Sequence, residues 1–155
     1  MPPGHRMIAK HAYAGVFLVT DGDGRRVIGQ LRDNVPGIDN PGRIGPFGGA
    51  VQPHETPRDA AWRELVEEET NLRLGPEKLR LYASDLAWRP LTGEWEHRHI
   101  FLAPLSPHEL AALEVYEGRG WATIAQAQDP RLIDSYRPLI ATLLENMSTA
   151  RADGT

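Results

Sequence analysis

Apolar positions in the first part of the chain follow the pattern of a buried hairpin. Tyr13–Thr20 (YAGVFLVT) is a continuous apolar and β-branched run, which predicts a buried strand. Asp21–Gly24 has the composition of a tight turn, and Arg26–Leu31 reads as the antiparallel partner of the first strand.

Further along, the pattern predicts a long loop and four more strands. Arg32–Gly45 is rich in Pro, Gly, Asp and Asn, which is typical of an ordered loop, and loops this long in compact domains are often functional. The predicted strands are Phe47–Gln52, Leu79–Ala87, Glu94–Leu102 and a brief one at Gly120–Ala122, with a turn around Leu91–Gly93 between the two long strands.

Three segments have helical patterns with recognisable starts. The first helix begins with Thr56 as N-cap, Pro57 at the first position and Asp59 in the first turn. The other two are a short helix at His108–Leu113, capped by Ser106-Pro107, and a last helix that starts at Asp134 or Ser135 and ends near Asn146. The apolar stripes of the first and last helices are Ala61, Trp62, Leu65 and Val66, and Leu139, Ile140, Leu143 and Leu144. Strands with a helix on each side predict an α/β/α sandwich around a mixed β-sheet.

The length and composition bound the domain organisation. A chain of 155 residues corresponds to about one domain, with an ordered core expected over residues 11–147 and polar tails at Met1–Lys10 and Ser148–Thr155. Hydrophobic residues make up 41% and charged residues 25%, which is typical of a globular protein.

Charge and cysteine content exclude several functional classes. A net charge of -4 disfavours broad electrostatic binding to nucleic acid. The absence of Cys excludes disulfides and thiolate metal sites, and no signal-peptide pattern or membrane-length apolar run is present. We therefore expect a cytoplasmic protein without nucleic-acid or membrane partners.

The main candidate for chemistry is a group of carboxylates on the first helix. In an α-helix Glu64, Glu67 and Glu68 stand at i, i+3 and i+4 on one face, where like charges destabilise the helix by about 0.2–0.5 kcal/mol per pair. Hard divalent cations need such an oxygen cluster, and Mg²⁺ bound in this way typically holds substrate phosphates. The alternative is a solvated acidic helix face, and the carboxylates alone do not decide between the two.

The spacing around these carboxylates resembles the signature of the Nudix hydrolases. It reads glycine, five residues, glutamate, seven residues, then Arg-Glu-Leu-x-Glu-Glu. The matching positions are Gly49, Glu55, Arg63, Glu64, Leu65, Glu67 and Glu68. The chain departs from the family at Thr70 and Asn71, where Gly and an aliphatic residue are usual. We expect Asn71 to cap a helix one residue longer, with Leu72 as the apolar anchor.

The resemblance implies a metal-dependent reaction: hydrolysis of the pyrophosphate linkage in a nucleoside diphosphate derivative, with Mg²⁺ as cofactor and Mn²⁺ as a substitute. The implied metal ligands are Glu64, Glu67, Glu68, the backbone carbonyl of Gly49 and, from a later turn, Glu117. For Glu117 a plain turn carboxylate is the alternative. Glu68 is implied as both ligand and general base; in some members of the family an acidic residue from a later loop serves as the base, and Glu117 is the candidate for that role here.

Arg63 is implied to hold a glutamate in place through a charge-assisted bond, with Glu55 or Glu67 as its partner. The alternative roles for Glu55 are to position the attacking water or to serve as a structural loop residue. Arg32 and Asp33 are the candidate substrate-binding residues, because an Arg at the start of the long loop can grip a phosphate. A surface ion pair is the alternative for these two residues.

Aromatic and histidine side chains on the long strands are secondary candidates. Trp88, Trp95 or Tyr82 could stack on a base, although strand aromatics more often belong to the core. His97 and His99 face the same side of one strand. We expect structural histidines there rather than a metal pair, because the carboxylates already supply a site that suits a hard ion.

The leading function is a pyrophosphohydrolase acting on a nucleoside triphosphate, a nucleotide sugar or a dinucleotide. The alternative is a non-catalytic Nudix-fold module that senses a nucleotide or contacts a partner protein, but such modules typically lose the glutamates that this chain keeps. A diphosphate isomerase on the same fold is disfavoured because Cys is absent. Many relatives pair as homodimers, and no residue of this sequence marks such an interface.

Overall fold

The computed structural model describes the backbone of residues 9–20 and 26–152 and the side chains of residues 11–20 and 26–147. The strands are β1 (Ala9–Thr20), β2 (Val27–Leu31), β3 (Ile44–Gly45), β4 (Phe47–Ala50), β5 (Arg80–Arg89), β6 (Glu94–Leu105) and β7 (Trp121–Ile124). The helices are α1 (Pro57–Trp62), which continues as a π-helical segment (Arg63–Glu69), α2 (Pro107–Ala111) and α3 (Arg137–Ala152), with 3-10 turns at Pro76–Lys78 and Asp134–Tyr136. The predicted turn at Asp21–Gly24 and the outer parts of both predicted tails lie outside the described residues.

The strands form one mixed sheet in the order β3-β2-β1-β6-β5. β1 and β6 run parallel, whereas β1 pairs antiparallel with β2 and β4, and β5 pairs antiparallel with β6. β4 lies against the first part of β1, with Gly49 opposite Ala14, so the chain enters α1 from the middle of the sheet.

Side chains of β1 alternate between two hydrophobic clusters on opposite faces of the sheet, as the two-residue period of a strand requires. Val16 packs in the cluster that contains Leu65 of the first helix. Phe17 packs in the cluster that contains Ile140 of α3. One helix therefore covers each face, and the predicted α/β/α sandwich around a mixed β-sheet is confirmed.

Several boundaries differ from the predictions because tertiary pairing extends the elements. β1 begins at Ala9, earlier than predicted, and β6 ends at Leu105, later than predicted, since the two strands pair over this whole length. α3 continues to Ala152, beyond the predicted end near Asn146. Residues 148–152, which were predicted to belong to a tail, are therefore helical. Among the described residues no helix is both long and apolar enough to cross a membrane.

The first helix begins as predicted. The Thr56 hydroxyl accepts a hydrogen bond from the Asp59 N–H at 3.1 Å, and Pro57 occupies the first helical position. From Arg63 onward, however, the helix winds as a π-helix, in which each N–H bonds to the carbonyl five residues earlier.

The end of this helix differs from the prediction. The Thr70 N–H donates to the Leu65 carbonyl at 3.0 Å, and Thr70 itself has extended backbone with φ -138°. The expected left-handed cap at Asn71 is therefore wrong, since Asn71 does not have a positive φ. Leu72 is buried, as expected of an apolar anchor.

Candidate functional site

The π-helical winding affects which glutamates lie together. The wider turn brings the residue five positions on closer to the same face than an α-helix does, and Glu69 lies beside Glu64. Carboxylate oxygens of Glu64, Glu69 and Glu117 all lie within 4.8 Å of one another. Glu67 and Glu68 are both exposed and lie outside this group. The expected α-helical spacing of Glu64, Glu67 and Glu68 is not found, because this segment winds as a π-helix.

Glu69 is the buried member of this carboxylate group, with 1% of its surface exposed. Its Oε1 accepts a hydrogen bond from Gln30 Nε2 at 2.8 Å, whereas its Oε2 has no hydrogen-bond partner among the described residues. Burial raises the pKa of Glu69 to about 9, and the nearby charges of Glu64 and Glu117 act in the same direction. A buried oxygen of this kind costs about 1–3 kcal/mol when it lacks a partner, which makes it a strong candidate to bind a cation.

Glu117 reaches the group from the loop before β7. The backbone N–H of the preceding Tyr116 donates to the Glu69 carbonyl at 2.7 Å. Gln30 Nε2 also donates to the Glu117 carbonyl at 3.2 Å, so one side chain contacts two members of the group. Gly118 follows with φ +73°, a conformation that favours glycine, and it turns the chain away directly after Glu117.

The residues that depart from the family spacing hold this loop against the end of the helix. Thr70 forms an isolated antiparallel bridge with Val115. The Asn71 side chain donates to the Ala112 carbonyl at 2.8 Å and accepts from the Glu114 N–H at 2.8 Å. These contacts bring the segment that carries Glu117 next to the π-helical segment.

Arg63 organises the exposed side of the site. It binds both oxygens of Glu55, with Nε–Oε2 at 2.8 Å and Nη2–Oε1 at 3.0 Å, and Glu55 is one of its two predicted partners. Arg63 Nη1 also contacts Glu64 at 3.2 Å and donates to Glu68. Hydrogen bonding from Arg63 holds the pKa of Glu55 below its usual value. The pKa of Glu64 is raised by burial and then by the charge of Glu68.

Gly49 lets the backbone of β4 approach the same group. A Cβ atom at Gly49 would overlap the Glu64 carboxylate, so a larger residue there would displace that carboxylate from its position. Carboxylate oxygens beside a backbone strand are the donor set that hard divalent cations prefer.

Two clefts lie beside the site: Gly49 lines one, Glu117 lines the other, and Arg32 lines both. The first, which we call the arginine cleft, measures about 350 Å³ and is lined by Tyr13, Arg32, Gly49, Arg89, Arg98 and Tyr136, among others. The second, which we call the Tyr116 cleft, measures about 450 Å³ and is lined by Gln30, Arg32, Asp33, Ile38, Tyr116, Glu117 and Gly118. The predicted substrate-binding residues Arg32 and Asp33 both line the Tyr116 cleft, and Arg32 lines both clefts.

The secondary candidates are placed as follows. Trp88 lines the arginine cleft and packs edge-on against Trp95, with ring centroids 5.4 Å apart. Tyr82 packs against the hydrophobic cluster under α3. The rings of His97 and His99 lie 4.1 Å apart, and neither belongs to a metal-binding group of three within the described part of the chain.

Sequence reasoning missed Glu69. The available signal was the run of three consecutive glutamates, Glu67 to Glu69, together with the late position of Leu72, which indicates one residue too many for an α-helix.

A larger cavity of about 600 Å³ lies between the β5–β6 pair and α3. Its lining is mainly apolar and includes Tyr82, Leu102, Leu143 and Met147. It holds one carboxylate, Glu77, so cavity size alone does not locate the chemistry.

Comparison with known proteins agrees with the fold and the spacing. A family model of the NUDIX domain matches residues 9–143. None of the curated proteins matches.

Solved structures share the fold. An Ap4A hydrolase binary complex from C. elegans is 23% identical, with a TM-score of 0.62 over 92% of this chain and 98% of that chain. A MutT protein from Methanosarcina mazei Go1 is 17% identical, with a TM-score of 0.63 over 91% of this chain and 98% of that chain. A MutT/nudix family protein from Enterococcus faecalis is 16% identical, with a TM-score of 0.59 over 79% of this chain and 45% of that chain. This chain thus spans less than half the length of that protein.

Proposed function

Because this chain belongs to the NUDIX family and is a pyrophosphohydrolase of that family, we propose that it hydrolyses the pyrophosphate linkage of a nucleoside diphosphate derivative with Mg²⁺. The observation that carries the metal assignment is the buried Glu69, which has an Oε2 without a hydrogen-bond partner among the described residues and belongs to one group with Glu64 and Glu117.

The proposed ligands are the carboxylates of Glu64, Glu69 and Glu117, with the Gly49 backbone beside them. Their oxygens suit Mg²⁺, and Mn²⁺ would fit the same donors. When bound, Mg²⁺ neutralises charge on the diphosphate and lowers the pKa of a coordinated water. Glu67 and Glu68 are not included among the ligands, because both are exposed and outside the group.

Glu68 is the proposed general base, oriented by Arg63. Arg63 donates to Glu68 Oε2, which leaves Oε1 to accept a proton from water. The water oxygen bonds to phosphorus and the bridging P–O bond breaks. The electron pair of the broken P–O bond leaves with the second phosphate, while the proton from the water passes through Glu68 to solvent.

Arg32 is the proposed phosphate-binding residue. Its Nε donates to the Asp39 carbonyl at 2.9 Å, which fixes the guanidinium at the border of the two clefts. A guanidinium in this position offers its remaining N–H groups to phosphate oxygens.

The test is hydrolysis of a panel of nucleoside triphosphates, nucleotide sugars and dinucleotides with Mg²⁺, with Mn²⁺ and with chelator. Wild type, Glu68→Gln and Glu67→Gln are compared by release of nucleoside monophosphate or phosphate. We expect metal-dependent turnover that falls by about 10²–10⁴-fold in Glu68→Gln, since a general base is lost. Glu67→Gln is the matched control and should keep its activity. Intact nucleotide binding without turnover on any compound would contradict the proposal and favour a sensing module.

A further inference from the structure

We propose that Gln30 is a positioning residue of the metal site, whose amide group sets the orientation of Glu69 and the place of the loop that carries Glu117. This inference rests on the proposed function, because the carboxylates of Glu69 and Glu117 are proposed ligands, and it adds a residue of β2 to that site.

Gln30 is a buried polar residue, with 5% of its surface exposed. A buried amide group costs free energy unless its polar atoms are hydrogen-bonded. The amide nitrogen of Gln30 carries two N–H groups. It donates to Glu69 Oε1 at 2.8 Å and to the Glu117 carbonyl at 3.2 Å. Both hydrogen bonds of this nitrogen are therefore made to segments of the proposed metal site.

The nature of these partners fixes which end of the amide faces the site. A backbone carbonyl only accepts hydrogen bonds, so the atom that faces the Glu117 carbonyl is the amide nitrogen. The same nitrogen presents its second N–H to Glu69. A neutral donor orients a carboxylate without cancelling its charge, whereas a lysine or arginine at this position would supply the positive charge that the proposed site leaves to the metal.

Glu69 shows the consequence of this hydrogen bond. Its Oε1 is bound by Gln30, and its buried Oε2 has no hydrogen-bond partner among the described residues. Because the two oxygens belong to one planar group, holding one of them fixes the direction of the other. Carboxylates that bind metals are usually hydrogen-bonded in this way, and loss of such a partner lowers metal affinity about 10–100-fold. Gln30 thus leaves Oε2 as the oxygen of Glu69 that is available to a cation.

The backbone attaches the Glu117 loop to β2 independently of the Gln30 side chain. The Arg119 N–H donates to the Leu31 carbonyl at 2.8 Å, and the Leu31 N–H donates to the Gly120 carbonyl at 2.9 Å. Removing the amide leaves both hydrogen bonds intact, because only main-chain atoms take part in them. A substitution at Gln30 should therefore alter metal binding without detaching the loop.

The test measures Mn²⁺ binding to the full chain without substrate, from the electron paramagnetic resonance signal of free Mn²⁺. Gln30→Met keeps the length of the side chain and removes both N–H donors. We expect its dissociation constant for Mn²⁺ to be about 10–100-fold higher than that of wild type. Gln30→Asn is shorter by one methylene group and cannot keep both hydrogen bonds, so it should also bind Mn²⁺ more weakly. Gln30→Asn decides the result if circular dichroism shows that Gln30→Met is unfolded.

Thr20→Val is the matched control, because it also removes a buried hydrogen-bonding group from the sheet. Thr20 is 4% exposed, and its hydroxyl accepts a hydrogen bond from the Arg26 N–H at 2.7 Å. Thr20 lines neither the arginine cleft nor the Tyr116 cleft. This variant should unfold at a lower urea concentration than wild type and bind Mn²⁺ as tightly.

Hydrolysis separates positioning of the metal from direct participation in the reaction. With a compound that wild type turns over, Gln30→Met should need about 10–100-fold more Mn²⁺ for its half-maximal rate. Its kcat at saturating Mn²⁺ should return to that of wild type, since the amide acts through the metal ligands.

Several results would overturn the inference. An unchanged dissociation constant for Mn²⁺ in Gln30→Met would remove the role of Gln30 while leaving the metal site intact. Equal weakening in Gln30→Met and Thr20→Val would show a general structural effect, and a kcat that stays low at saturating Mn²⁺ would show that Gln30 does not act through the metal. Absence of Mn²⁺ binding in wild type would remove the metal site itself and this inference with it.

Discussion

Glu69 combines three properties that rarely occur together in one side chain. It is buried, one of its oxygens has no hydrogen-bond partner among the described residues, and two further carboxylates lie within 4.8 Å. Burial raises its pKa to about 9, so the metal-free carboxyl group is protonated near neutral pH. In the unfolded chain the same group ionises above about pH 4.3. The metal-free folded state therefore binds more protons than the unfolded state between these two values, and its stability falls as the pH rises through this window.

We expect Glu69→Gln to raise the melting temperature of the metal-free protein at pH 7, because the neutral amide removes the cost of keeping a buried carboxyl protonated. The gain should vanish near pH 4, where folded and unfolded wild type are both protonated. Mg²⁺ should no longer raise the melting temperature of the variant, since a ligand oxygen is lost. Thermal melts in Mg²⁺ and in chelator at both pH values measure this.

Glu67→Gln serves as the control for this substitution, because Glu67 is exposed and outside the carboxylate group. Its melting temperature should respond to Mg²⁺ as that of wild type does. An undiminished response in Glu69→Gln would show that Glu69 is not a ligand.

At the scale of elements, the π-helical segment accommodates one residue more than the family spacing allows. If Glu68 and Glu69 are taken as the paired glutamates, Asn71 stands where the family places Gly and Leu72 where it places an aliphatic residue. The departure seen in the sequence is then a single extra residue, absorbed by wider winding between Arg63 and Glu69.

This explanation predicts the effect of deleting one of the three consecutive glutamates, which gives the same sequence whichever one is removed. The remaining pair then stands at i+3 and i+4 from Glu64, the spacing that an α-helix places on one face. We expect the deletion variant to remain folded and to keep a Mg²⁺-dependent rise in melting temperature, measured by differential scanning calorimetry.

An alanine inserted after Glu67 is the opposite change and adds a second extra residue. We expect it to weaken the Mg²⁺ response, because the pair then stands at i+5 and i+6 from Glu64, and only the first of these positions lies near Glu64 in a π-helix. A deletion variant without any Mg²⁺ response would contradict the single-residue explanation.

At the scale of the whole molecule, Arg98 connects both sides of the arginine cleft. It is 5% exposed and binds Asp85 on β5 through two hydrogen bonds of 2.8 and 2.6 Å. It also donates to Ser135 at 2.7 Å and lies 4.2 Å from the ring centroid of Tyr136, just before α3. The edge of the sheet and the start of the last helix are thereby held at a set distance.

We expect Asp85→Ala to lower the free energy of unfolding by about 1–3 kcal/mol, because it leaves the Arg98 charge buried without its carboxylate. In a protein of this size each kcal/mol corresponds to about 2–4 °C in melting temperature. The partial exposure of Asp85 places the effect below that of a fully buried pair. Thermal and urea unfolding measure it.

Asp129→Ala provides a comparison, because it removes the partner of Arg131. The Arg131 side chain is half exposed, and neither residue lines either cleft. It should have a smaller effect on stability. An effect of Asp85→Ala no larger than that of Asp129→Ala would show that the Arg98 contacts do not stabilise the fold.

Much of the fold follows from local patterns that the sequence displays directly. Tyr13–Thr20 is a continuous apolar run, and the two-residue period of a strand places Val16 and Phe17 on opposite faces of the sheet. Thr56 and Pro57 mark the helix start, because capping and proline geometry depend only on neighbouring residues. The contact between Arg63 and Glu55 could also be anticipated from the family spacing.

The sandwich, the start of the first helix and a group of carboxylates on that helix could be predicted from the sequence, because each depends on period, capping or composition over a few residues. That Glu69, rather than Glu67 or Glu68, lies beside Glu64, and that Glu117 joins them, depends on tertiary contacts. Burial of Leu65 and Leu72 and the pairing of Thr70 with Val115 fix both ends of this segment, so the extra residue is wound into the helix between them. These contacts join segments far apart in the chain, so no local pattern contains them.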